Sequence, residues 1–171
     1  MPTSASPPFS ELFLWEPGLN ARLLPWIVWQ QQAQGLLYYG TIFWETIGAT
    51  LDDVAEDGTV LPSWGERGAP YNGGGVLVYP GGKRVTDPPQ ASVRLALLRE
   101  GLQDYEWLCL LRERVEARRR AGRPVPPECA ALLRLPPDLV ADAANYTKEV
   151  SKVLAYRERL ADAIERLGEK P

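Results

Sequence analysis

The feature that most constrains this chain is a strand-to-helix passage between Tyr71 and Leu111. A glycine-rich approach, Asn72 to Gly75, leads into a short apolar run, Gly75 to Tyr79. That run ends in Tyr79-Pro80-Gly81-Gly82, a turn sequence. After a turn-rich spacer over 83–91, a helical pattern opens at Ser92 and continues to Arg120. Ser92 is a natural N-cap, because its hydroxyl can accept from a free N–H of the first turn. Leu95, Leu98, Leu102, Tyr105, Leu108 and Val115 recur near helical spacing and predict one apolar stripe. Strand, loop and helix in this order form the unit from which parallel α/β folds are built.

The preceding segment reads as a helix followed by a strand, with no internal repeat. Residues 22–34 have Leu23, Trp26, Ile27 and Ala33 near helical spacing, with Asn20 as the expected N-cap and Gly35 as the stop. Pro25 lacks an N–H, so the regular helix is expected from about residue 23, leaving Pro25 in the first turn. Residues 36–44 are almost continuously apolar and aromatic, which predicts a strand buried on both faces. A shorter strand is expected at 11–15. The connection over 45–74 is long enough for a crossover between parallel strands.

Beyond Arg120 the chain breaks at Gly122, Pro124, Pro126 and Pro127. A short helix is expected around 128–134. A long one is expected over 138–167, either as a long packed helix or as one arm of a helical hairpin with 92–120, with an apolar stripe that could also bind another chain. Its stripe runs through Leu139, Ala143, Tyr146, Val150, Val153, Leu160, Ile164 and Leu167, and Arg157 interrupts it. Three segments follow: a lead-in over 1–19, βα units over 20–120, and a helical extension over 121–171. Two firm strands and one short one cannot close a covered sheet. The chain is therefore expected either to be part of a larger domain or to complete its core with another chain, including a second copy of itself.

Composition removes several chemistries. The chain has no histidine and two cysteines, Cys109 and Cys129. That excludes a usual four-ligand zinc site and any Ser-His-Asp or Cys-His machinery. Both cysteines read as buried free thiols. A formal net charge of −3 argues against nucleic acid as a partner. No apolar run approaches the ~20 residues of a membrane span, and residues 1–13 lack the basic start and apolar core of a signal peptide. No motif asks for a cofactor. The Asn72-Gly73-Gly74-Gly75 run lacks the Lys-Ser/Thr of a phosphate loop, so a tight turn is the plainer reading.

Three stretches, taken together and in order, carry a family resemblance: RLLPWIVWQQQAQGLLYYGTIFW at 22–44, YNGGGVLVYPGG at 71–82 and SVRLALLREGLQDYEWLCLL at 92–111. They are similar to the C-terminal part of the glycoside hydrolase family 123 catalytic domain, also catalogued as domain of unknown function 4091. The pattern is an Arg-x-x-x-Trp helix, an aromatic strand, a glycine-rich run before Tyr-Pro-Gly, and Ser-Ile-Arg opening a helix with Gly-x-x-Asp-Tyr-Glu. The resemblance implies a (β/α)8 barrel acting on N-acetylated β-galactosaminides or related glycans. It implies substrate-assisted catalysis, in which the N-acetyl group attacks the anomeric carbon while an Asp-Glu pair orients it and protonates the leaving oxygen. No Asp-Glu pair occurs in this chain, so no catalytic residue is assigned, and the pair is expected upstream of residue 1. Family members are often secreted; the sequence itself gives no compartment. Tyr39 stands where the family often has Trp, Gly74 where it often has Asp, and Val93 replaces Ile.

Barrel ligands are held by strand C-termini and the loops that follow them. The candidate substrate-binding residues are accordingly Tyr39, Trp44, Glu45, Tyr71, Asn72 and Tyr79. Trp44 offers an aromatic face to a pyranose, or packs the barrel rim. Glu45 can bond sugar hydroxyls, or sit as a solvated carboxylate. Asn72 can contact sugar, or serve the turn before three glycines. Trp64 lies in the same long connection. Arg94 in the first turn of its helix opposes the helix dipole, so a specific inward partner is expected, most simply a salt bridge. Asp104, Tyr105 and Glu106 read as scaffold, with Tyr105 in the core. Arg118, Arg119 and Arg120 suit the end of their own helix.

Overall fold

A computed structural model describes residues 12, 16–38, 41–42, 76–79 and 88–168. These residues are mostly helical with one small sheet. The elements are α1 (Leu19–Gln30), β1 (Val78–Tyr79), β2 (Gln90–Ala91), α2 (Val93–Arg120), α3 (Pro127–Ala131) and α4 (Val150–Gly168).

Helix α2 begins where the sequence places it. Ser92 is extended, and its hydroxyl accepts from the Leu95 N–H at 3.2 Å. The helix ends in a paired-hydrogen-bond cap. The Arg123 N–H reaches the Arg118 carbonyl and the Gly122 N–H reaches that of Arg119. Gly122 takes the left-handed conformation this cap needs, φ 65°.

Helix α1 departs from expectation at both ends. It starts at Leu19 with Gly18 as cap, so Pro25 lies inside the helix. Interior proline costs about 3 kcal/mol. Burial of Leu23, Pro25, Trp26 and Ile27 on that helix offsets it. Asn20 is not the cap; it is buried, donating to Glu16 at 2.7 Å and accepting from Lys148 at 3.2 Å. The helix stops before Gly35, in the same cap geometry as α2: Ala33 N–H to Val28 carbonyl and Gln32 N–H to Trp29 carbonyl, both 3.0 Å. Here the left-handed position is Gln32, φ 52°.

The helices run alongside one another in a common direction. Trp29 of α1 meets Tyr105 with ring centroids 5.6 Å apart, while Arg22, nearly two turns earlier, lies against Gly101 and Asp104. Between α2 and α4, Arg157 meets Asp104, Arg114 donates to the Ile164 carbonyl, and Arg118 donates to that of Leu167 at 3.3 Å. In each pair the partners rise in sequence together. The expected antiparallel hairpin of α2 with the last helix is therefore corrected to a parallel pair. The 121–149 connection carries the chain back along the bundle before α4 sets off again. The Arg118 guanidinium thus caps α4 rather than merely ending its own helix.

The expected 138–167 helix shortens to α4 because residues 138–149 have better local partners. Asp142 accepts from the N–H groups of Ala144 and Asn145, each at 2.8 Å, and from the Asn145 side chain. These bonds, first that of the Asn145 side chain, hold the Asp142 carboxyl below its usual range. Val140 and Tyr146 then pair as an isolated antiparallel bridge. Short side chains that capture backbone donors compete in this way with helix.

The strands also differ from expectation. β1 pairs with β2, antiparallel, in the register Val78 to Ala91 and Tyr79 to Gln90. A ten-residue connection permits that pairing, whereas a parallel partner needs a longer crossover. Within 36–44 the described residues form no strand. Leu36 and Leu37 are exposed, Leu37 at 91%. The Thr41 carbonyl accepts from the N–H groups of Leu77 and Val78. The two segments meet at that point, with no ladder among the described residues. Of the 11–15 strand, Leu12 is described and is buried outside any strand; the 45–74 connection lies outside the described residues.

The main core sits among α1, α2, α3 and α4. Trp26, Leu108, Leu111, Val115, Val153 and Leu160 are all fully buried there. Cys129 belongs to it, while Cys109 is half-buried; both are free thiols. On the predicted α2 stripe Leu108 and Val115 are buried, but Leu102 is 53% exposed and Tyr105 is only half-buried. A smaller cluster forms around Leu12, Ala21 and Leu77.

Candidate functional site

One of the six candidate ligand residues falls among the described residues. Tyr79 ends β1, half-buried. Tyr39, Trp44, Glu45, Tyr71 and Asn72 lie outside the described residues, as do Trp64 and Gly74.

Tyr79 is held by Arg94. Serine-capped α2 starts beside the residue before β1, where the Ser92 N–H donates to the Leu77 carbonyl at 2.9 Å, and its second residue reaches across the strand. The Arg94 guanidinium donates to the carbonyls of Leu12 and Val76, each at 2.6 Å, and to the Tyr79 hydroxyl. It also stands 5.9 Å from the Tyr79 ring centroid. The inward partner expected of Arg94 is thus present, and it includes two backbone carbonyls and a phenol. A buried cation can be satisfied by such dipoles when several converge. Tyr38 completes the surroundings. Burial raises its phenol pKa, and Arg94 pulls it the other way. This cluster fixes one tyrosine hydroxyl at the strand end. Among the described residues it contains no carboxylic acid.

A second polar cluster is the part that sequence reasoning passed over. Asp104 is fully buried in the middle of α2. Arg22 grips it through two bonds, Nε to Oδ2 at 2.8 Å and Nη2 to Oδ1 at 3.2 Å. The Trp26 indole donates to Oδ2 at 3.2 Å. Arg157 from α4 places Nε 2.8 Å from Oδ1. Its N–H is not aimed along that oxygen, so this contact is an ion pair without a directed hydrogen bond. The Arg157 guanidinium also lies 4.4 Å over the Trp107 ring. Gly101, one turn before Asp104, lets α1 approach: a Cβ there would stand 2.2 Å from the Arg22 carbonyl oxygen. The signals existed in the sequence. Arg22 and Trp26 share a helix face four residues apart, Gly101 precedes Asp104 by three, and Arg157 breaks an apolar stripe. Nothing in those spacings alone says that they meet.

These two clusters join the stretches that carry the resemblance. The Arg-x-x-x-Trp helix and the Gly-x-x-Asp-Tyr-Glu stretch meet at Asp104, and Arg94 of the Ser-x-Arg stretch anchors the strand end. The family model described as glycoside hydrolase 123, catalytic domain, matches residues 3–111 of the 171. The chain belongs to the glycoside hydrolase 123 family. No curated protein matches the chain. The glycoside hydrolase 123 match ends at Leu111, inside α2, yet the fold continues through α4. Arg157, Tyr156 and Leu160, all beyond the match, complete the interior around Asp104 and Trp26. Among the described residues no group of three metal-capable side chains comes together, and no helix is long and apolar enough to cross a membrane.

Proposed function

We propose that this chain forms one wall of a (β/α)8-type glycoside hydrolase 123 barrel acting on N-acetylated β-galactosaminides or related glycans. The observation that carries the reading is the family match across residues 3–111. One feature of the packing supports it. Helices α1 and α2 run side by side in one direction, as neighbouring outer helices of a barrel do. Exposed Leu36, Leu37 and Ile42 are then the edge that further strands would cover.

In this reading Tyr79, oriented by Arg94, contributes to the sugar pocket together with Tyr39, Trp44, Glu45, Tyr71 and Asn72. The Asp-Glu pair that supports attack by the substrate's N-acetyl group comes from outside this chain, since the chain contains none. A self-associating structural protein is less well supported. Val153, Tyr156, Leu160, Ile164 and Leu167, the stripe that suggested it, are buried within the chain itself.

Chromogenic N-acetyl-β-galactosaminide provides the test. The 171 residues alone release no chromophore, and a chain extended with upstream barrel units carrying the acid pair does. In the extended enzyme Tyr79→Phe lowers kcat/KM roughly tenfold, the loss of about one hydrogen bond. Turnover by the 171 residues alone would show that the site assignment is wrong.

A further inference from the structure

The C-terminal end of α1, the middle of α2 and the segment after α3 line an open cavity of about 860 Å³. Its rim carries Trp29, Gln30, Gln32, Gln34, Arg112 and Arg134. It lies some 18 residues along α2 from Arg94, about 27 Å at 1.5 Å per residue. We infer that this cavity binds an anionic, hydroxyl-rich ligand, an acidic oligosaccharide of disaccharide size or larger. The inference does not rest on the glycosidase reading.

Charge is the first argument. The chain carries −3 overall. The described lining of this cavity nevertheless has two arginines and no carboxylate. Neither arginine is paired with an acid among the described residues. Arg112 lies 4.9 Å over the Trp29 ring and contacts the Cys109 sulfur at 3.8 Å, and Arg134 makes no side-chain bond. Guanidinium groups suit carboxylate or sulfate, which they can hold through two bonds at once.

Amide chemistry is the second. The Gln30, Gln32 and Gln34 side chains make no hydrogen bonds among the described residues. Each can donate and accept, which is what sugar hydroxyls require. The cavity's volume falls in the range of organic ligand sites and far exceeds that of a single ion.

Backbone geometry is the third and independent argument. α1 and α2 end in the same cap. α2 uses Gly122 at the left-handed position, and α1 uses Gln32 with φ 52°. Glycine is the unstrained residue for that position. A glutamine held there, its side chain on the cavity rim, is strain at a place where a side chain has a use.

Titration calorimetry on the full chain tests this, with tetragalacturonate, the neutral galactotetraose and sodium sulfate as probes. Tetragalacturonate binds saturably, and each neutral or inorganic probe binds at least about tenfold more weakly. Arg134→Gln, on an exposed and unpaired side chain, leaves the melting temperature unchanged and weakens tetragalacturonate by about tenfold or more. Gln32→Gly raises the melting temperature and weakens binding, a combination that a merely structural Gln32 would not produce. No heat with tetragalacturonate overturns the site. Equal affinity for galactotetraose overturns the role of charge, and equal affinity for sulfate reduces the site to a bare anion hole. Unchanged affinity in both variants places any binding elsewhere and also overturns the proposal.

Discussion

Two polar clusters lie inside this protein and solve the same problem differently. At Asp104 a buried carboxylate is matched by charge, with Arg22 gripping it and Arg157 beside it. At Arg94 the partners of a buried cation among the described residues are neutral groups, the carbonyls of Leu12 and Val76 and the Tyr79 hydroxyl. The first ties three helices together and draws on α4, beyond the family match. The second ties α2 to the strand end and uses only residues within the match. One cluster belongs to the helical layer and makes the C-terminal extension part of the core. The other belongs to the face on which ligands are proposed to bind. Within the matched region, these polar residues describe how elements are joined more than how a reaction is run.

The strongest way to break this comparison is to remove the extension. A chain ending at Arg120 loses Val153, Tyr156, Leu160 and Ile164 from the core and Arg157 from Asp104. It is expected to lose its cooperative thermal transition, followed by circular dichroism. A cooperative melt in the shortened chain would mean that the family-matched part folds by itself and that the extension is an accessory.

Asp104→Ala comes next. It leaves Arg22 buried without its counter-charge, which costs about 3–5 kcal/mol. Urea unfolding measures the loss. Replacing both partners, Asp104→Leu with Arg22→Met, restores much of it, because an apolar pair of similar size needs no charge compensation. If the double variant is no more stable than Asp104→Ala, the cluster's value lies in packing geometry and not in charge.

The difference between the clusters also explains what could be read from the sequence. Elements set by neighbours in the chain were legible. Ser92 announced α2 because its hydroxyl needs only the Leu95 N–H three residues on. Elements set by distant neighbours were not. Leu36 to Tyr38 have strand composition, but a strand needs a partner edge, and among the described residues the Leu77 and Val78 N–H groups reach only the Thr41 carbonyl, farther along the segment. The 138–149 stretch has helical spacing, yet Asp142 binds backbone donors two and three residues on and ends the pattern. Pro25 looked like a helix start because local rules penalise it inside; tertiary burial overrode that rule. The direction of α4 relative to α2 had no local signal at all. Of the candidate site, Tyr79 could be placed through the strand-end motif, and its bond to Arg94 could be expected only as some inward partner.

Arg94→Met sharpens the comparison from the other side. Three acceptors lose a charged donor, at a cost of about 2 kcal/mol, less than the Asp104 change because carbonyls and a phenol left unbonded are neutral. The cost appears in urea unfolding. A loss equal to that of Asp104→Ala would mean that carbonyl dipoles hold a buried charge as firmly as a counter-ion does.

Tyr156→Phe is the smallest expected effect and tests the weakest kind of anchor, a neutral hydroxyl on backbone carbonyls. The Tyr156 hydroxyl donates to the Leu132 carbonyl at 2.8 Å and stands 3.3 Å from that of Arg134, joining α4 to the segment after α3. Its loss costs about 1 kcal/mol at neutral pH. Burial pushes the phenol up to about 12, with Arg159 pulling it back, whereas the unfolded chain titrates near the ordinary value of 10.0. Below pH 10 both states keep the proton and the contribution is whole. Between pH 10 and about 12 the unfolded state releases its proton while the folded state holds it, so stability falls as pH rises. Above that range both are ionised and the loss levels off. Phenylalanine removes this titration, so the variant's alkaline limb is flatter than the parent's in urea unfolding across that window. An unchanged alkaline slope would assign the pH dependence to another group. A cost at pH 7 matching that of Asp104→Ala would show that formal charge does not rank the anchors of this fold.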